Sequence, residues 1–117
     1  MPPEVYKICA QCSWDAACRT GHYSGSDDDL RDGYIHLSTA SQLRGTLDKH
    51  FFGQTNLLLV TLNVAALEEQ LRWEASRGGA LFPHLYGPLL VTAATAVVAL
   101  RLDTSGRHVV PGDLEVC

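Results

Sequence analysis

The sequence predicts a single α+β domain, and three features carry that reading. Apolar and polar residues alternate with period two over residues 33–38, Leu57-Leu58-Leu59-Val60 forms an unbroken apolar run, and Leu43, Leu47 and Phe51 recur at four-residue spacing. The first and second are strand signals, and the third is a helix signal. Short helical patterns sit in the first half of the chain and strands dominate the second, with no internal repeat or linker, so the whole of 1–117 is expected to be one domain.

Residues 5–9 read as a first strand. Residues 13–19 read as a short helix with Trp14, Ala17 and Cys18 facing inward, stopped by Gly21, because glycine tolerates the left-handed turn that ends a helix. Residues 22–33 hold Gly25-Ser26 and the run Asp27-Asp28-Asp29, which is expected to be an exposed, solvated loop. The run lacks the alternating oxygen ligands and closing Glu of a calcium loop. In residues 33–38, Ile35 and Leu37 point one way while Tyr34, His36 and Ser38 point the other. Thr39-x-x-Gln42 matches a capping box and starts a helix over about 40–52, ended by Gly53. Residues 56–62 form a strand covered on both faces. A helical turn over 64–69 leads to Leu71-Arg72-Trp73-Glu74, and residues 76–88 are too rich in Gly and Pro to be regular throughout. Residues 89–102 supply a last strand or strand pair, and a short segment at Val109-Val110 closes the pattern.

Composition narrows the function. The 117 residues carry nine Lys plus Arg and thirteen Asp plus Glu, a formal charge of −4, with 46% hydrophobic and 19% charged side chains. That suits a compact fold with its own core and argues against an extended nucleic-acid surface, which needs a cationic face. It leaves room for a pocket that binds one phosphate. No apolar run is long enough to span a bilayer as a helix and no secretory pattern opens the chain, so a cytoplasmic protein with reduced thiols is expected. Cys9, Cys12, Cys18 and His22 make a zinc-like series without a second knuckle, and Cys9 and Cys18 have a simpler use as packed residues. His22 and His50 could join His36 and His84 around a metal, although no His-x-His or His-x3-His pair supports that, and His108 is expected at the surface.

Two segments concentrate the chemistry. His36 shares a strand face with Tyr34 and Ser38, and His84, if its segment is extended, shares one with Phe82 and Tyr86. Each face combines an imidazole, aromatic surface and a hydroxyl, the mixture that stacks a planar ligand and hydrogen-bonds its edge. The alternative for each histidine is a packed core residue bonded to a carbonyl. Arg77-Gly78-Gly79 adds a loop whose amides can approach a ligand and whose guanidinium can grip a phosphate, and Trp73 and Glu74 adjoin it. Glu74 could serve as a general base, hold a ribose hydroxyl, or be a plain surface carboxylate.

Several strings also resemble a known family. Tyr6-Lys7-Ile8, Trp14 with Ala17 and Gly21, Tyr23-x-Gly25-Ser26, the run from Asp32 to Thr39, His50-Phe51, Trp73-Glu74, and the run from Arg77-Gly78-Gly79 through Phe82-Pro83-His84-Leu85-Tyr86-Gly87-Pro88-Leu89 are similar to the bacterial and plant domain-of-unknown-function family 952. The likeness spans about residues 5–102. It implies an ADP-ribosyltransferase-like split sheet, in which two small, mainly antiparallel sheets form a cleft that holds NAD, with short helices around it. By that resemblance His36 and Ser38 occupy the central cleft strand, with His84 and Tyr86 opposite. Working transferases carry an Arg or His on the first cleft strand and a late Glu, where this chain offers Tyr6-Lys7 and Glu74. A branch that processes RNA 2'-phosphates works without the late Glu.

The expected function is binding of a nucleotide or NAD-like ligand in a histidine-lined cleft, with group transfer or hydrolysis at a ribose. His84 would be the acid–base residue and His36 would bond the ribose. Tyr86 would stack on a planar ring, Arg77 would neutralise phosphate, and Ser38, Trp73, Glu74, Gly78 and Gly79 would complete the binding surface. The alternative is a non-catalytic ligand-binding or protein-interaction module that keeps the fold without the chemistry.

Overall fold

The computed structural model describes residues 2–111, apart from the side chain of Arg77. It is a mixed α and β structure in which all strand pairs are antiparallel. One sheet has the strand order 4–10, 57–63, 94–102, 108–109, a second has 35–36, 80–85, 71–76, and a two-stranded ribbon pairs 22–23 with 89–90.

The strands are β1 (Glu4–Ala10), β2 (His22–Tyr23), β3 (Ile35–His36), β4 (Leu57–Asn63), β5 (Leu71–Ser76), β6 (Ala80–Leu85), β7 (Leu89–Leu90), β8 (Ala94–Leu102) and β9 (His108–Val109). The helices are α1 (Gln11–Thr20), α2 (Asp27–Asp32) and α3 (Leu43–His50), with a 3-10 turn over Ala40–Gln42 leading into α3. Strand β4 is the spine. Its Leu58, Val60 and Leu62 join Val5, Trp14, Ala17, Tyr23, Ile35 and Leu85 in one core layer, while Leu57 and Leu59 join Tyr6, Ile8, Leu43 and Leu47 in another. The unbroken apolar run therefore has a physical cause: both faces of β4 are covered, and each buried Leu contributes about 1.5–3 kcal/mol.

A narrow seam joins the two larger sheets. Tyr6 on β1 and Ser38, just past β3, exchange two backbone hydrogen bonds of 2.8 and 2.9 Å. Side chains of β1 and β3 meet across this seam.

Three local expectations are corrected and a fourth is borne out. Residues 27–32 form a helix rather than a solvated loop, because Ser26 and Asp29 make a reciprocal capping box and Gly33, at φ 85°, ends the helix. Cys18 is exposed, since α1 buries the Trp14 and Ala17 stripe and turns Cys18 out. His108 is buried, its Nε2 lying 2.8 Å from the Gln54 carbonyl oxygen, because β9 folds back over the end of α3. The Gly- and Pro-rich stretch is irregular at Arg77–Gly79, where Gly78 and Gly79 take φ of 69° and 86°, and at 86–88, as expected, with the regular strand β6 between.

Candidate functional site

The site begins with a buried lysine. Alternation along β1 sends Val5, Lys7 and Cys9 to one side, so Lys7 enters an otherwise apolar layer and is only 4% exposed. An ammonium there must be paired. Asp29, itself 3% exposed, supplies the partner at 2.8 Å, and the His36 carbonyl accepts a second bond from Lys7 at 3.1 Å. The capping box of α2 fixes Asp29, because the Ser26 amide donates to its carboxylate and the Asp29 amide donates to the Ser26 hydroxyl. Burial opposes ionisation of Asp29, but the His36 hydrogen bond and the charge and hydrogen bond of Lys7 outweigh it and hold the carboxyl well below its usual range.

His36 is the next link. Its backbone amide donates to Asp29 Oδ1 at 3.0 Å, its Nδ1 lies 2.6 Å from the same oxygen, and its Nε2 lies 3.0 Å from Asp32 Oδ2. Carboxylate oxygens thus face both ring nitrogens of His36. Asp32 is also gripped by Arg31, which with the His36 contact keeps its carboxyl below the usual range.

His84 is directly opposite His36 in the β3–β6 register, and the ring centroids are 5.6 Å apart. Its Nδ1 lies 2.8 Å from Glu74 Oε1, which also accepts the Tyr86 hydroxyl at 2.7 Å. These two bonds hold the Glu74 carboxyl low and push the Tyr86 phenol up. A carboxylate acceptor places the imidazole hydrogen on Nδ1, leaving the Nε2 lone pair without a protein donor among the described residues. Tyr34 is the hub of the ring cluster, stacked on His84 at 4.0 Å and lying 4.7 Å from His36 and 5.3 Å from Tyr86. Burial, followed by the charges of Asp32 and Glu74, pushes its phenol up.

Lys7, Asp29, Asp32, Tyr34, His36 and His84 border a cavity of about 280 Å³, lined also by Ser38, Thr46, His50 and Phe82, while Glu74 and Tyr86 stand behind His84 outside that lining. That is just under the usual range of ligand pockets, about 300–1,000 Å³, so it admits one small group. The arrangement offers two imidazoles one strand apart, each anchored to a carboxylate, a pairing suited to proton transfer.

The structure thus brings His36, His84, Ser38, Glu74 and Tyr86 together. Ser38 Oγ lies 3.1 Å from Thr46 Oγ1 and faces the cavity. Trp73 is placed elsewhere: period two along β5 turns it to the opposite face from Glu74, where it packs against the core layer of Leu71 and Leu85. Gly78 and Gly79 form the hairpin tip, roughly 16–20 Å along the chain from His84 at 3.3 Å per residue, and do not line the cavity. The Arg77 side chain lies outside the described residues. His50 lines the cavity, whereas His22 lies on β2. Among the described residues no cluster of three or more His, Cys, Asp or Glu side chains is placed to hold a metal ion, and Cys9 is buried while Cys12 and Cys18 are exposed.

Asp29 and Asp32 were not expected as site residues, whereas Tyr34 was expected on the His36 face and Lys7 on the first cleft strand. Asp29 had one readable signal, the Ser26-x-x-Asp29 spacing of a capping box, which argues for a helix start instead of a solvated acid run.

The fold and this paired histidine–carboxylate centre define a small α and β protein with antiparallel sheets joined at a seam that carries the site. Residues 8–97 match the family described as protein of unknown function, DUF952, and the chain belongs to that family. It is similar to the crystal structure of protein CC0527 from Caulobacter crescentus, with 47% identity over 97% of this chain and 99% of that one and a TM-score of 0.91. The solution NMR structure of CC0527 gives 49% identity over 91% of each chain and a TM-score of 0.81. No curated protein matches the chain. Among the described residues no helix is long and apolar enough to cross a membrane.

Proposed function

We propose that the seam is the cleft of an ADP-ribosyltransferase-like split sheet. In this reading it binds the ribose of a nucleotide or NAD-like ligand and performs group transfer or hydrolysis at that sugar. The observation that carries the reading is the direct opposition of His36 and His84, 5.6 Å apart, each held by its own carboxylate. Both can touch one small ligand. His84 Nε2 takes the proton of the attacking hydroxyl or water, and the Glu74 carboxylate holds the charged ring that results. His36 hydrogen-bonds the ribose, and the proton taken by His84 is then returned to the leaving group or to solvent. Lys7 stands on the first cleft strand, but its ammonium is taken by Asp29, so its role is to orient His36 rather than to grip a ligand. The cavity admits one small group, so the rest of a dinucleotide would lie outside it along the sheet.

Isothermal titration and amide NMR shifts with NAD, ADP-ribose and a 2'-phosphorylated RNA end test this. Heat and shifts centred on His36 and His84 with at least one of them support it, and a null result with all three overturns the ligand class.

A further inference from the structure

Strand register aligns three side chains across the β3-β6-β5 sheet. His36 is opposite His84, and on the other side of His84 stands Arg72. Strands are roughly 5 Å apart, so Arg72 is one strand from the His84 backbone and two from that of His36. Glu74 follows two residues later on the same face of β5, with Oε1 occupied by His84 and Tyr86. The cations that line the cavity are committed: Lys7 to Asp29, and Arg31 to Asp28 and Asp32. Arg72 is different. It is exposed, and its hydrogen bond among the described residues is a 3.5 Å contact to the Leu71 carbonyl, at the outer limit of such a bond.

We infer that Arg72 is the phosphate-binding residue of this site, so the ligand class is a ribose phosphate whose hydroxyls face Glu74 and His84 and whose phosphate lies over Arg72. The inference rests on the ribose reading above and assigns its direction. A phosphate set before Glu74 would be repelled, whereas ribose hydroxyls donate well to a carboxylate. A guanidinium forks two phosphate oxygens, and its neighbour in the row, His84, is the proton acceptor. The Gly78-Gly79 turn, at the far end of the hairpin, is not needed as a phosphate cradle.

The test measures ADP-ribose and adenosine binding by titration calorimetry and NMR to the wild type, Arg72→Gln, Arg72→Lys and the control Arg101→Gln, which removes an exposed arginine from β8. ADP-ribose should weaken about tenfold or more in Arg72→Gln, in line with loss of a charge-assisted bond. Arg72→Lys should recover part of that loss, and adenosine binding and Arg101→Gln should stay at wild-type values. If the wild type binds ADP-ribose and Arg72→Gln binds it equally well, the phosphate assignment falls while the ribose site stands. If the wild type binds neither probe, both fall together.

Discussion

Lys7 and Asp29, twenty-two positions apart, form a buried ion pair at 2.8 Å beneath the His36 backbone, so the charge that tethers α2 to β1 also sets the position of a cavity histidine. Fold stability and site geometry share this contact.

Replacing Asp29 with Asn should therefore cost more than an average surface change. It leaves an ammonium buried without its counter-charge, a loss of about 3–5 kcal/mol for a broken buried pair. Urea unfolding measures it. The double variant Asp29→Asn with Lys7→Met should regain a large part of the loss, because no stranded charge remains. A double variant no more stable than Asp29→Asn alone would show that the pair is not what holds this region.

The same pair gives the protein an acid limit. The Asp29 carboxyl is held below its ordinary value of 3.8, so the unfolded chain takes up the proton at a higher pH than the folded one. A depressed folded value means that the stabilisation is complete above about pH 5 and is lost as the pH falls through the unfolded value toward the folded one. Asp32 and Glu74 shift in the same direction. The urea midpoint of the wild type should fall steeply between about pH 5 and pH 3, and Asp29→Asn should flatten that fall. Equal slopes in the two proteins would contradict the assignment.

The His84 ring should carry its hydrogen on Nδ1, because Glu74 accepts there. Nitrogen-15 NMR of the histidine rings reads this tautomer directly. Glu74→Gln, which can offer an amide hydrogen to Nδ1, should raise the population with hydrogen on Nε2 and remove the lone pair proposed as the proton acceptor. A wild-type ring already protonated on Nε2 alone would refute the proposed base.

Gly25 should resist substitution. Its φ is +118°, and a Cβ at this position would come within 2.8 Å of the Asp29 Cβ. Gly25→Ala should lower stability by about 1–3 kcal/mol through backbone strain and displacement of Asp29. Thermal unfolding measures the loss, and the His36 ring signals should shift with it. An unchanged melting temperature would mean that the α2 cap tolerates displacement.

Much of the fold is written locally. The four-residue spacing of Leu43 and Leu47, the Thr39–Gln42 capping box and the apolar run of β4 each act within a few residues, so the sequence determines α3 and the two-sided burial of β4. The pairing of His36 with Tyr34 and Ser38, and of His84 with Phe82 and Tyr86, follows equally from strand alternation. What tertiary structure alone decided is which distant residues meet. Lys7 with Asp29, His36 with His84, and Arg72 in line with both depend on strand register and on closure of the seam at Tyr6 and Ser38. A register slip of one residue would turn each side chain to the other face while leaving the sequence pattern untouched. Burial likewise belongs to the folded chain: an aspartate run looks solvated in sequence, and only the buried ammonium of Lys7 makes Asp29 an interior residue.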